Sequence, residues 1–178
     1  MSDTNFSNRE ETLKCAMQME KDGIEYYAEA ATNSSQALGR NLFLSLVEDE
    51  KKHYEWLEQL LESVEGACAD APAVRGKERF ETIFSEARKE SGGVVKGTNS
   101  DLEAIDRACE MEKKGFEYYK KAAAESSNTA LKELCEKLAD WESNHFEMLQ
   151  NTKKYLQDPK EWFTWEEGAL LDGGGAFA

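Results

Sequence analysis

The feature that most restricts this chain is an internal repeat. At an offset of 92 residues, Thr12–Glu58 aligns with Ala104–Gln150 without a gap, giving 18 identities in 47 positions. Met19-Glu20-Lys21 matches Met111-Glu112-Lys113, Gly23 matches Gly115, and Glu25-Tyr26-Tyr27 matches Glu117-Tyr118-Tyr119. Glu50 and His53 match Glu142 and His145, and these two histidines are the only ones in the sequence. Each copy reads as a helical hairpin. In the first, Leu13, Met17, Glu20, Ile24, Tyr27 and Ala31 recur at alternating spacings of four and three, which traces one face of a helix. The polar run Thr32 to Gln36 marks a turn, and Leu42, Leu46, Glu50, His53, Leu57, Leu60 and Val64 resume the rhythm.

The second copy follows the same plan. Ile105, Cys109, Glu112, Phe116, Tyr119 and Ala123 form one stripe, Ser126 and Ser127 the turn, and Leu131, Leu134, Leu138, Glu142, His145 and Leu149 the next stripe. Ser7-Asn8-Arg9-Glu10 and Ser100-Asp101-Leu102-Glu103 read as capping boxes that open the two hairpins. Between the hairpins lies a loop-like stretch from Gly66 to Gly76. A short amphipathic segment follows with Phe80, Ile83, Phe84 and Ala87, then Gly92, Gly93 and Gly97. Asp158-Pro159 ends the fourth helix. The expected architecture is all-α: two helical hairpins joined by one long crossover with a short extra helix, a ferritin-like four-helix bundle. Residues 1–158 are expected to form the bundle domain and residues 159–178 a C-terminal tail. In that tail Trp162, Phe163 and Trp165 are expected to pack on the bundle, and the Gly173-Gly174-Gly175 end to fray.

Helix length sets the level of the polar residues. Glu20 and Glu50 are equally far in sequence from the turn near Ser35, as Glu112 and Glu142 are from Ser127, so at a rise of ~1.5 Å per residue each pair shares one layer. Residues three apart lie on the same helical face, so each Glu-x-x-His aims a carboxylate and an imidazole at one point. Glu20, Glu50, His53, Glu112, Glu142 and His145 thus occupy stripe positions where Leu or Ile would be expected. Crowded carboxylates repel by about 4 kcal/mol per pair at ~4 Å and an effective dielectric of ~20. Either several of them hold protons, forming a metal-free polar cluster, or cations balance them. Two divalent ions would cancel four carboxylates. Oxygen donors with two imidazoles suit iron or manganese better than structural zinc.

Composition removes other classes. The net charge is −14 with no basic cluster, so neither nucleic acid nor an anionic membrane surface is an expected partner. No apolar run approaches the ~18 residues of a membrane span. Cys15, Cys68, Cys109 and Cys135 form no C-x-x-C pair, which excludes a rubredoxin-type or zinc-ribbon site among them. Met1 to Asn8 has no signal-peptide pattern, and a cytoplasmic location with reduced thiols is expected.

With Glu20 and Glu112 on the first and third helices and Glu-x-x-His on the second and fourth, the chain resembles the rubrerythrin branch of the ferritin-like di-iron carboxylate proteins over roughly Asn8 to Tyr155. The resemblance implies two iron ions, with manganese or a mixed pair as the alternative. It also implies that Glu50 and Glu142 bridge them while Glu20, Glu112, His53 and His145 are terminal ligands. Tyr27 and Tyr119 would donate hydrogen bonds to those ligands, ordinary core packing being the other reading. Asp49 could orient a histidine. The activity implied is reduction of hydrogen peroxide, with a rubredoxin-like external protein as electron donor and a homodimer as the expected assembly. Iron oxidation by dioxygen, or a non-catalytic metal-binding bundle, are the alternatives. Two departures stand out: Gly115 replaces an additional carboxylate of that family, and no rubredoxin-type cysteine pairs are present. Gly23 and Gly115, each costing a helix interior ~1 kcal/mol relative to Ala, are expected to leave room beside the metals or to permit close packing against a Trp or Tyr.

Overall fold

Four apolar stripes, none interrupted by proline, become four long helices. The computed structural model describes residues 9–62, 71–72, 82–83, 85–87, 89 and 97–159. Helix α1 spans Arg9–Asn33, α2 Ala37–Glu62, α3 Asn99–Glu125 and α4 Thr129–Gln157, and no strand occurs among the described residues. In the crossover, residues 82–83, 85–87 and 89 are helical, and Ile83 and Ala87 are buried. Phe80, Phe84 and Val64, the Ser7 and Asn8 of the first capping box, and the aromatic and glycine residues of the tail lie outside the described residues.

Within each hairpin α1 packs along α2 and α3 along α4; between hairpins α2 faces α4 and α1 faces α3. This is a four-helix bundle of ferritin-like connectivity. Its apolar core is split in two. One cluster gathers Leu42, Phe43, Leu46, Ile105, Leu149 and Leu156; the other gathers Leu13, Leu57, Leu60, Leu131 and Leu138. Each such side chain, fully buried, stabilises the fold by ~1.5–3 kcal/mol. The repeat explains the division, since the polar positions of all four stripes fall at one level and separate the leucines on either side.

The second capping box sits two residues earlier than the sequence reading placed it. Thr98, not Ser100, is the N-cap of α3: its hydroxyl accepts from the Asp101 backbone N–H, while the Asp101 carboxylate accepts from the Thr98 N–H at 3.0 Å. Thr98 wins because Asp101 at the third helical position also accepts hydrogen bonds from the Ser35 backbone N–H at 3.0 Å, the Ser35 hydroxyl at 2.6 Å and the Ser34 hydroxyl at 3.2 Å. One carboxylate therefore ties the α1–α2 turn to the start of α3. The end of the crossover is fixed beside it, where the Gly97 N–H donates to the Leu156 carbonyl at 2.9 Å. A Cβ on Gly97 would lie 2.9 Å from the Leu156 Cβ, so glycine is what lets the chain approach α4 so closely.

Burial alone would raise the Asp101 pKa, but the hydrogen bonds from Ser35 and Thr98 outweigh it and hold the carboxyl down to about 2. A folded-state pKa below the unfolded one stabilises the fold above the ordinary aspartate range, and this stabilisation is lost as pH falls through the folded value. Asp101→Asn should therefore lower stability at neutral pH by about 2 kcal/mol and flatten the acid limb between about pH 4 and pH 2. Urea unfolding across that range checks this, and a variant with an unchanged acid limb would contradict it.

Candidate metal centre

The helices bring the six polar stripe residues to the middle of the bundle. Glu20, Glu50, His53, Glu112 and His145 are each at most 5 % exposed, which for carboxylates demands compensation. Their donor atoms form two groups, Glu20–Glu50–His53 and Glu50–Glu112–His145, in which the atoms lie within 4.8 Å of one another. Glu50 is common to both. Its Oε2 is 3.2 Å from His53 Nδ1 and its Oε1 is 3.3 Å from His145 Nδ1. The outer carboxylates complete the groups, with Glu20 Oε2 3.5 Å from His53 Nδ1 and Glu112 Oε1 3.5 Å from His145 Nδ1. Glu142 stands differently: half-buried, it belongs to neither group, and its carboxyl lies over Gly115.

Charge in this layer is unevenly shared. Burial, and after it the charge of Glu50, push the Glu20 carboxyl well above the carboxylate range; burial and then Glu112 do the same to Glu142. Burial would also raise Glu50, but His145, with hydrogen bonds from Glu20 and His53, outweighs it and keeps Glu50 well below that range. His145 would be discharged by burial, yet Glu50 and Glu112 hold its pKa well above the ordinary value, whereas burial prevails at His53 and lowers it. Among the described residues, the ion-pair partners of Glu20, Glu50 and Glu112 are these two histidines. Glu112 Oε2 and His145 Nδ1 are buried with no hydrogen-bond partner. A buried carboxylate oxygen without a donor, in a layer of further carboxylates, fits a cation, and the oxygen-plus-imidazole donor set suits first-row divalent ions.

Around the donors, the Tyr27 hydroxyl donates to Glu112 Oε1, joining α1 to α3 across the layer. Tyr119, its repeat mate, is fully buried with a hydroxyl that has no hydrogen-bond partner. Asp49 pairs with Lys52 at 3.3 Å. The two glycines do not open a space, and the atoms nearest to a Cβ at either belong to a glutamate. A Cβ on Gly23 would lie 3.3 Å from Glu50 Oε1, and one on Gly115 only 2.7 Å from the Glu142 carboxyl carbon. What fills the gap is the carboxylate of the neighbouring helix in the same hairpin. Sequence reasoning also passed over Trp141, whose indole stacks on the His53 imidazole with ring centroids 3.8 Å apart and planes 3° from parallel. A signal was present, because Leu134, Leu138, Trp141, His145 and Met148 keep the spacing of a helical face.

Two consequences can be measured. In the metal-free protein Gly23→Ala should raise stability by ~1 kcal/mol through helix propensity, since Glu50 need give only a few tenths of an ångström. Gly115→Ala must displace the Glu142 carboxyl and should weaken divalent-ion binding about tenfold, the scale expected when a ligand's surroundings are disturbed. Calorimetric titration and thermal unfolding of both variants would refute this if Gly115→Ala bound ions like the parent. Separately, ion binding must displace protons from Glu20, Glu142 and His145, all of which hold them more tightly than usual. Apparent affinity should therefore rise with pH, with net proton release seen as a dependence of binding heat on buffer ionisation enthalpy. Binding without proton release would contradict that assignment.

No helix among the described residues is long and apolar enough to cross a membrane. No match was found among curated proteins or among solved structures. The family model described as rubrerythrin matches residues 11–153, which takes in all but the outer ends of the four helices and every residue of the centre. With the bundle, the repeat and the buried Glu/His layer in place, this match shows that the chain belongs to the rubrerythrin family.

Proposed function

We propose that the protein is a non-haem di-iron oxidoreductase that reduces hydrogen peroxide with electrons from an external redox protein. The observation that carries this reading is the position of Glu50, one oxygen toward each histidine, which makes a single carboxylate common to two donor groups. Glu20 and His53 would hold one ion and Glu112 and His145 the other, with Glu50 between them and Glu142 able to swing in from its place over Gly115. Two ferrous ions, when bound, supply together the two electrons that reductive cleavage of the O–O bond takes, so that one peroxide, two electrons and two protons give two waters. The chain's own residues exclude water from this layer, with leucine clusters on both sides. The Tyr27 hydroxyl donates to Glu112 Oε1, which keeps a phenol beside the centre. The Tyr119 hydroxyl, buried without a hydrogen-bond partner, would be free to donate to a substrate beside Glu20. Glu142, half-buried and inclined to keep a proton, is the acid through which protons reach the centre from solvent. Re-reduction is assigned to a rubredoxin-like partner.

Stopped-flow mixing of the ferrous-loaded protein with peroxide, and separately with dioxygen, tests this. Oxidation by peroxide should outpace oxidation by dioxygen. The reverse order would identify iron oxidation by dioxygen as the function, and inertness toward both would leave a metal-binding bundle. A His53→Ala, His145→Ala double variant that still held two ions per chain would remove the basis of the proposal.

A further inference from the structure

We propose that the two halves of the centre hold metal unequally, and that Trp141 is the positioning residue that makes the His53 half the tighter one. The proposal rests on the two-metal reading above. The repeat allows the halves to be compared position by position. His53 and His145 are mates, with ring centroids 5.4 Å apart across the layer. On the His53 side the Trp141 face lies flat on the imidazole, and the Trp56 ring meets Trp141 edge-on at 5.2 Å and 72°. At the repeat offset Trp141 corresponds to Asp49 and Trp56 to Met148, so neither aromatic has a counterpart in the other half. Asp49 pairs with Lys52 at 3.3 Å. Among the described residues, the ring contact of His145 is with His53 alone.

The stack restricts the torsion that turns the imidazole in its own site. Turning the His53 ring about its Cβ–Cγ bond would drive it into the indole, so Nδ1 stays toward Glu20 and Glu50, 3.5 and 3.2 Å away. Trp141 is itself 5 % exposed and braced by Trp56, so it cannot yield easily. On the other side the Tyr27 hydroxyl donates to Glu112 Oε1, the same oxygen that faces His145 Nδ1. An ion in that half must share this atom with the phenol. The corresponding Tyr119 hydroxyl makes no hydrogen bond, leaving Glu20 unencumbered by it. Both differences act in one direction, because donors already held in place bind more tightly than donors that must be ordered or released.

Titration of the metal-free protein with Co(II), followed by visible absorption and by heat, tests the inference. Two resolved steps are expected. His53→Ala should remove the tighter and His145→Ala the weaker. Trp141→Leu, which keeps apolar bulk but has no flat face, should weaken the tighter step about tenfold, the scale of one aromatic contact, and leave the other unchanged. Trp141→Phe should restore most of the loss. In the metal-free Leu variant the His53 ring nitrogen resonances should broaden while those of His145 stay as they are, which a general loosening of the bundle would not produce. Should the Leu variant not fold, the histidine variants and the ring resonances of the parent decide, and a His53 ring as mobile as His145 overturns the inference. Two equal steps, equal weakening of both, or a Phe variant no better than Leu also overturn it. A parent chain that binds no ion, or one only, overturns instead the two-metal reading beneath it.

Discussion

Like-charge repulsion in a layer closed to water is the constraint to which the rest of this structure answers. Four glutamates, three of them nearly inaccessible, meet two imidazoles between two clusters of leucine. Such a layer can persist without cations only by keeping protons on some carboxyls, and Glu20 and Glu142 are the ones pushed that way. Glu50 stays ionised because both histidines bear on it. The leucine clusters above and below must then hold the helices together across a level that contributes little attraction of its own. This is why the stripes are otherwise so regular, and why glycine stands at position 115: a side chain there would press on the Glu142 carboxyl, already short of room.

Much of this could be read from the residues. The three- and four-residue spacings of Leu13 to Ala31 and of Leu131 to Leu149 trace helical faces directly, and the repeat requires the two hairpins to be alike. Equal distances from the two turns put Glu20 level with Glu50, as the shared donor group shows. What the sequence concealed was contact between elements. Asp101 looked like one member of a local cap, yet its decisive partners, Ser34 and Ser35, stand more than sixty positions away. Gly115 suggested empty space because a missing side chain looks like a void until its neighbour is known; Glu142 fills it. Trp141 sat next to a ligand position in the sequence, but that it covers His53 depends on how α2 faces α4, which no local pattern encodes.

The two glutamates of the repeated motif also stand in different settings. Glu50 is buried, kept well below the carboxylate range and faced by both imidazole rings. Glu142 is more accessible, holds a proton more readily and lies over Gly115. Identity of residue type at the repeat offset therefore does not imply identity of role, because each glutamate takes its character from the residues across from it.

The Asp101 clasp shows where that freedom comes from. Its repeat mate is Arg9, which donates instead to the Leu60 carbonyl at 2.8 Å, so the fastening at one end of the bundle has no copy at the other. Two separate hairpins assembled as a symmetric pair would have to carry every feature twice, and a tryptophan lid on one imidazole would force the same lid on its twin. Joining them in one polypeptide removed that obligation. Covalent fusion is thus what lets a symmetric scaffold enclose a centre with two unlike sides.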